Sequence, residues 1–143
     1  IKNCIEIRVC DSLPPMLIPS FQALVKAFVY HPEGRRAMEE ITRKWTFDNF
    51  NLAYENIARD GLRAKINNIP MLQYCKEVLD IATANLRAVK ILDEDGEDES
   101  IHLRAIKEFV LIYEQCPGQW VRNQWHGEWK QNPERLIEWS SFK

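Results

Sequence analysis

From Pro19 onward, apolar side chains recur at the three- and four-residue spacing that places them on one face of an α-helix. The longest such stripe runs from about Pro70 to Ile91, with one face formed by Met71, Cys75, Val78, Ala82 and Val89. Shorter stripes of the same period predict helices over about 19–29, 35–44, 48–60, 100–115 and 134–139. The pattern therefore predicts a helical region over residues 18–143.

Helix-capping residues, glycines and prolines separate these apolar stripes. Thr46 or Asp48 is expected to cap one helix, and Gly61 is expected to end it. The segment 31–34, with the letters HPEG, is expected to break the helical pattern, and Pro117-Gly118 is expected to form a turn. The acidic segment over 92–100 is expected to be a solvated loop.

The first segment has a different period, because its residues alternate between two faces as in a β-strand. We expect a strand over residues 3–11, ended by Pro14 and Pro15, and a fold class that is mainly α with one or two β-strands. Since an isolated strand is not stable, we expect its partner strands upstream of Ile1, or alternatively in an oligomer. The two faces carry Ile5, Ile7 and Val9 on one side and Cys4, Glu6, Arg8 and Cys10 on the other.

The net charge and the lengths of the apolar runs exclude some classes of binding partner for this protein. The 143 residues fit one domain, and the net charge of −2 gives no basic surface for nucleic acid. No apolar run reaches the roughly 18 residues of a membrane span, so no membrane partner is expected. The four cysteines form no CxxC pair, which argues against a zinc site and favours a cytoplasmic protein.

Glu6 and Arg8 are the residues of the first segment that point to chemistry. On a strand they project from one face, roughly 6–7 Å apart. A carboxylate is a hard oxygen ligand for Mg²⁺, and a guanidinium offers a planar fork to phosphate or carboxylate oxygens. The pair suits phosphoryl transfer, although by its spacing alone an alternating Glu/Arg strand is more often a solvated face with cross-strand charge pairs. Asp11 either helps to hold Arg8 or begins the turn.

The segment IEIRVCD over residues 5–11 resembles the E-x-R-x-x-D strand of the glutamate–cysteine ligase and carboxylate–amine ligase family, which is similar to a strand of glutamine synthetases. Two further segments follow in the family's order: ARDGL over 58–62 and WHGEWKQ over 125–131, which resembles a closing Y-x-G-x-W-G-Q-S segment. The chain departs from that pattern at Val9-Cys10, at Pro117-Gly118-Gln119 and at Lys130. These departures bear on the acceptor amine more than on the type of reaction.

This resemblance implies that residues 1–143 are a single C-terminal segment of an ATP-dependent ligase with a glutamine synthetase-like α+β fold. It implies that Glu6 ligates Mg²⁺ and that Arg8 is the catalytic residue contacting the ATP phosphate or the glutamate carboxylate. The implied partners are glutamate, an amine acceptor expected to be cysteine, and the N-terminal remainder of the enzyme. Arg59 and Asp60 are expected to pair structurally, without a catalytic role.

A second interpretation remains open at this point. The chain would then be a non-catalytic helical interaction module, with its tryptophan-rich tail as the docking surface. His126 and Glu128 within that tail suggest a metal pair, but a tail packed through its own tryptophans is the favoured interpretation.

Overall fold

The computed structural model describes residue 7 and residues 14–141, and this part of the chain is mainly helical. A short antiparallel sheet, β1 (Lys65–Ile66) and β2 (Ile69–Pro70), interrupts the helices. The predicted mainly helical class with one or two strands is confirmed, but the predicted strand over 3–11 lies outside the described residues except for Ile7. The helices are α1 (Ile18–Val29), α2 (Pro32–Thr42), α3 (Phe47–Asp60), α4 (Met71–Val89), α5 (Arg104–Lys107), α6 (Pro117–His126) and α7 (Pro133–Ser140).

The main core forms where α1 meets α4 through small side chains. Its buried members are Ala23, Ala27, Ala82, Leu86 and Leu103, each no more than 5% exposed. The larger α1 residues Leu24 and Phe28 flank this contact and are only partly buried. Small residues at the contact allow the two helices to approach closely, with the large side chains filling the edges.

Helix α2 packs against α1 at a glycine. A Cβ atom at Gly34 would lie 2.2 Å from the Ala27 carbonyl oxygen, so no side chain fits there. The predicted break after the first helix is confirmed, but it is shorter than residues 31–34, because α2 already begins at Pro32. Proline suits the first turn of a helix, where its missing N–H has no intrahelical partner.

Polar bonds connect the same elements across long sequence separations. The Ser20 hydroxyl donates to the His102 carbonyl oxygen at 2.6 Å, and the Lys26 ammonium pairs with Glu99 at 2.6 Å. The Asn85 amide donates to the Ala27 carbonyl oxygen at 3.3 Å. Residues 99–103 are thereby held against α1, which positions the helical segment after them.

A hairpin between α3 and α4 was not predicted. Asn67 and Asn68 have φ angles of 52° and 66°, as the two central residues of a type I′ hairpin turn require. Pro70 therefore ends β2, and the long helix begins at Met71 rather than at Pro70. The hairpin helps to form a second core of Ala53, Ile66 and Tyr74, with the Trp45 ring 5.3 Å from Tyr74.

The predicted ends of α3 are confirmed. Thr46 forms a capping box with Asn49, in which each side chain accepts a hydrogen bond from the other residue's backbone N–H. Gly61 ends the helix with a φ of 58°, a conformation that glycine adopts without steric cost. Of the apolar stripe on this helix, Ala53 is buried, whereas Tyr54 is 70% exposed.

The helix predicted over 100–115 consists of three different helical stretches. A 3₁₀ stretch over Glu99–Leu103 leads into α5, and a π-helical stretch over Glu108–Ile112 comes next. Leu103, Phe109 and Val110 are buried on this segment, while Tyr113 is 38% exposed. The predicted turn at Pro117-Gly118 is instead the first turn of α6.

Candidate functional site

The two residues with predicted chemical roles, Glu6 and Arg8, lie outside the described residues. Ile7 between them is described and is 40% exposed. Within residues 14–141, no group of three or more His, Cys, Asp or Glu side chains is arranged to hold a metal ion. The roles of Glu6 as a Mg²⁺ ligand and of Arg8 as a phosphate or carboxylate contact remain predictions.

The tryptophan-rich tail packs on itself and on the helical segment before it. The Trp120 ring is 5.8 Å from both Trp129 and Trp139, and 5.7 Å from Phe109. Contacts of this kind contribute about 0.5–1.5 kcal/mol per aromatic pair beyond simple burial. The prediction that the tail packs through its tryptophans is confirmed for Trp120, Trp129 and Trp139, which we call the aromatic cluster.

A cavity of about 630 Å³ lies beside the aromatic cluster. Pro15 and Met16 line it together with Trp129, which belongs to the WHGEWKQ segment. Pro15 and Met16 come shortly after the segment that carries Glu6 and Arg8. The described structure therefore places Pro15 and Met16 next to the third family-like segment.

The second family-like segment, ARDGL, forms the corner at the end of α3. The Arg59 guanidinium donates to Asp60 at 3.1 Å and to the Asn56 side-chain oxygen at 2.7 Å. The hydrogen bond with Asp60 raises the pKa of Arg59 above its ordinary value. The predicted structural pairing of Arg59 and Asp60 is confirmed.

Gly61 brings this corner close to the start of α6. A Cβ atom at Gly61 would lie 3.2 Å from the Gln119 side-chain oxygen and 3.5 Å from the Cys116 sulfur. The two elements enclose a cavity of about 290 Å³. Three guanidinium-bearing residues line it, Arg59 and Arg63 from one side and Arg122 from α6.

Sequence reasoning missed Arg63 and Arg122 as candidate binding residues. Arg63 follows Arg59 closely in the chain, but Gly61 ends α3 between them, so their helical spacing gave no signal of a shared location. Arg122 is far away along the chain, and only the packing of α6 against the ARDGL corner brings it to the same cavity. This corner concentrates positive charge and is suited to binding an anion rather than to acid–base chemistry.

The described cysteines lie in an apolar setting. Cys75 and Cys116 both line a cavity of about 360 Å³ between the two cores, together with Trp45. Burial raises the pKa of the Cys75 thiol, and the nearby Cys116 raises it further. A thiol with a raised pKa is a poor nucleophile at neutral pH, so Cys75 is a packing residue here.

A comparison with protein families places the whole sequence, including the three segments, in one family. The family model described as Glutamate-cysteine ligase family 2 (GCS2) matches residues 1–138, which is nearly the whole chain. The chain belongs to this family. The GCS2 match includes Glu6 and Arg8, the ARDGL corner and the WHGEWKQ segment, so it confirms the family that their order suggested.

Membership in GCS2 assigns the chain to a family of ligase-type enzymes. No curated protein and no solved structure matched the chain. Among the helices described over residues 14–141, none has both the length and the apolar character that crossing a bilayer requires.

Proposed function

We propose that this GCS2 chain is the C-terminal part of an ATP-dependent ligase that forms a γ-glutamyl amide bond. The observation that carries the proposal is the family match over residues 1–138, which includes all three family-like segments in order. The proposed acceptor is the amine of cysteine, which makes γ-glutamylcysteine the product and places the enzyme in cytoplasmic glutathione biosynthesis.

The proposed reaction has two steps. The γ-carboxylate of glutamate attacks the terminal phosphorus of ATP, and ADP leaves. The amine then attacks the acyl carbon of the resulting acyl phosphate, and inorganic phosphate leaves. Mg²⁺ offsets the negative charge on the phosphate oxygens when it is bound.

Two residues of this chain have assigned roles in the proposal. Glu6 supplies a carboxylate ligand to Mg²⁺, which prefers oxygen ligands. Arg8 holds the phosphate or the glutamate carboxylate through its planar guanidinium. The remaining metal ligands and the rest of the ATP site are proposed to come from the N-terminal remainder of the enzyme.

The structure of the helical part supports this arrangement. Pro15 and Met16, which leave the Glu6/Arg8 segment, line the same cavity as Trp129 of the closing segment. We propose that this contact at Pro15 and Met16 lets the helical part anchor the chain that follows the Glu6/Arg8 segment. A rigid anchor matters because a catalytic group displaced by about 1 Å can lose roughly a hundredfold in rate.

The test compares Glu6→Gln and Arg8→Lys in the natural polypeptide that contains these residues. We expect ADP release that requires both glutamate and cysteine, with a loss of about 100-fold or more in kcat/KM for each variant. Glu6→Gln should also require more Mg²⁺ for half-maximal activity. Glu33→Gln and Arg36→Lys are matched controls, since both residues are exposed and pair with each other away from the aromatic cluster and the ARDGL corner.

Two results would overturn the proposal. One is a natural polypeptide that releases no ADP when glutamate and cysteine are present together. The other is a pair of Glu6 and Arg8 variants as active as the Glu33 and Arg36 controls. The 143-residue chain alone is expected to be inactive, and activity in it would contradict the need for an N-terminal remainder.

A further inference from the structure

We propose that the cavity between the end of α3 and the start of α6 binds the phosphate group of a small ligand through Arg63 and Arg122. We call this cavity the arginine corner; it is lined by Arg59, Asp60, Arg63, Arg122 and the first residues of α6. The inference goes beyond the proposed ligase reaction, because it involves neither Glu6 nor Arg8. It describes a binding site in the helical part.

The charges of the arginine corner leave two guanidinium groups available. Arg59 is held by Asp60 and Asn56, so its charge is largely balanced within the corner. Arg63 and Arg122 make no hydrogen bond or ion pair with any other residue in the part of the chain that the structure describes. The lining therefore carries three positive side chains and one negative, and the surplus matches the charge of a phosphate dianion.

The backbone at the start of α6 adds to these two arginines. Cys116 precedes the helix without a capping hydrogen bond from its side chain, and the first helical bond runs from the Trp120 N–H to the Cys116 carbonyl oxygen. The N–H groups of Gly118 and Gln119 come earlier in the helix and have no partner within it. Both residues line the cavity, and the space around the Cα of Gly118 is open, since an added Cβ would meet nothing within 4 Å.

The geometry favours phosphate over a single carboxylate. A carboxylate carries one negative charge and is satisfied by one guanidinium, whereas the corner presents two unbalanced guanidiniums on different elements. A cavity of about 290 Å³ has room for more than an inorganic phosphate. The expected ligand is therefore a phosphate group carried on a small molecule, with Ile57 and Ala58 offering an apolar wall to the rest of it.

The experiment measures binding to the full 143-residue protein by isothermal titration calorimetry at low ionic strength. The probes are inorganic phosphate, pyrophosphate and L-glutamate. We expect pyrophosphate to bind more tightly than phosphate and both more tightly than glutamate. Arg63→Gln and Arg122→Gln should each weaken pyrophosphate binding by roughly tenfold to a hundredfold, the usual range for losing a charge-assisted hydrogen bond.

Two further variants separate a site from a general effect of charge. Arg104→Gln makes the same change in net charge, but Arg104 lines a different cavity that also contains Glu97, Asp98 and Glu108. It should leave pyrophosphate affinity within about twofold of the wild type, as expected for a screened distant charge. Gly118→Leu keeps the charge and fills the open space, so it should weaken binding about as much as Arg122→Gln. Circular dichroism confirms that each variant is folded.

Three outcomes would overturn the inference. The first is that none of the probes binds, and the second is that Arg104→Gln weakens binding as much as Arg122→Gln does. The third is that glutamate binds as tightly as pyrophosphate and is lost in the same variants, which identifies a carboxylate site. Glu6→Gln and Arg8→Lys should not change pyrophosphate binding by the 143-residue protein, so failure here is distinct from failure of the ligase proposal.

Discussion

Replacing Gly34 by alanine tests whether α1 and α2 are as closely packed as the structure shows. Helix propensity alone predicts a gain, because alanine is better than glycine inside a helix by about 0.8–1.0 kcal/mol. The structure predicts a loss. An added Cβ would lie 2.2 Å from the Ala27 carbonyl oxygen, 2.8 Å from the Asn85 side-chain nitrogen and 3.1 Å from the Phe28 Cα atom.

The magnitude depends on which atoms have to move. Two of the three atoms belong to the α1 backbone, so the helices must separate, and overpacking of this kind costs about 1–3 kcal/mol. Separation also breaks the hydrogen bond from Asn85 to the Ala27 carbonyl, which leaves buried polar groups unpaired at about 1–3 kcal/mol. After the gain in propensity, the free energy of unfolding should fall by about 1–5 kcal/mol.

Urea denaturation followed by circular dichroism at 222 nm measures this change on the 143-residue protein. Gly118→Ala is the matched control, because a Cβ there meets nothing within 4 Å, and it should be neutral or up to about 1 kcal/mol more stable. Asn85→Ala combined with Gly34→Ala should cost less than the sum of the two single changes, since both disturb one contact. A Gly34→Ala protein as stable as the wild type would refute the close packing of α1 and α2.

Two titratable groups give further expectations. The hydrogen bonds from Ser100 lower the pKa of Asp98, so its contribution to stability is present above the pKa of about 3.9 found in unfolded chains and is lost as the pH falls through the lower folded value. The difference in urea midpoint between wild type and Asp98→Asn should therefore shrink below about pH 4. Burial raises the pKa of the Cys75 thiol, so iodoacetamide at pH 8 should label Cys75 more slowly than a cysteine in an unstructured peptide. Quantitative mass spectrometry measures the labelling rate of each cysteine, and a Cys75 rate equal to that of the peptide would contradict the burial of its thiol.

The sequence predicted the helices well because each helix has its own repeat of apolar residues and its own capping residues. Thr46 and Gly61 bound α3 as expected, since capping and a left-handed backbone are properties of a few neighbouring residues. The sequence predicts a break at Pro32 and a turn at Pro117, but both prolines begin helices. Proline can end one helix or begin the next, and the residues after these two prolines are too weakly apolar to distinguish the two roles.

The tertiary contacts could not be predicted from the same signals. An apolar stripe shows which face of a helix is suited to burial, but it does not name the element that covers it. On α3 the stripe residues Phe50 and Tyr54 are 48% and 70% exposed, while Ala53 between them is buried against the hairpin. That hairpin depends on positive φ angles at Asn67 and Asn68, a turn signal that the sequence contains but that the helical periodicity does not show.

The candidate sites also differ in how much of each can be predicted from the sequence. The family-like segments are recognisable in the sequence because each is a short run of particular residues, whereas the arginine corner exists only once α6 packs on the end of α3. Trp120 and Arg122 are two positions apart on α6, so their side chains leave the helix about 200° apart. One lies in the aromatic cluster and the other lines the arginine corner. Helix α6 thus contributes a residue to both the aromatic cluster and the arginine corner, so a change that shifts this helix moves Trp120 and Arg122 together.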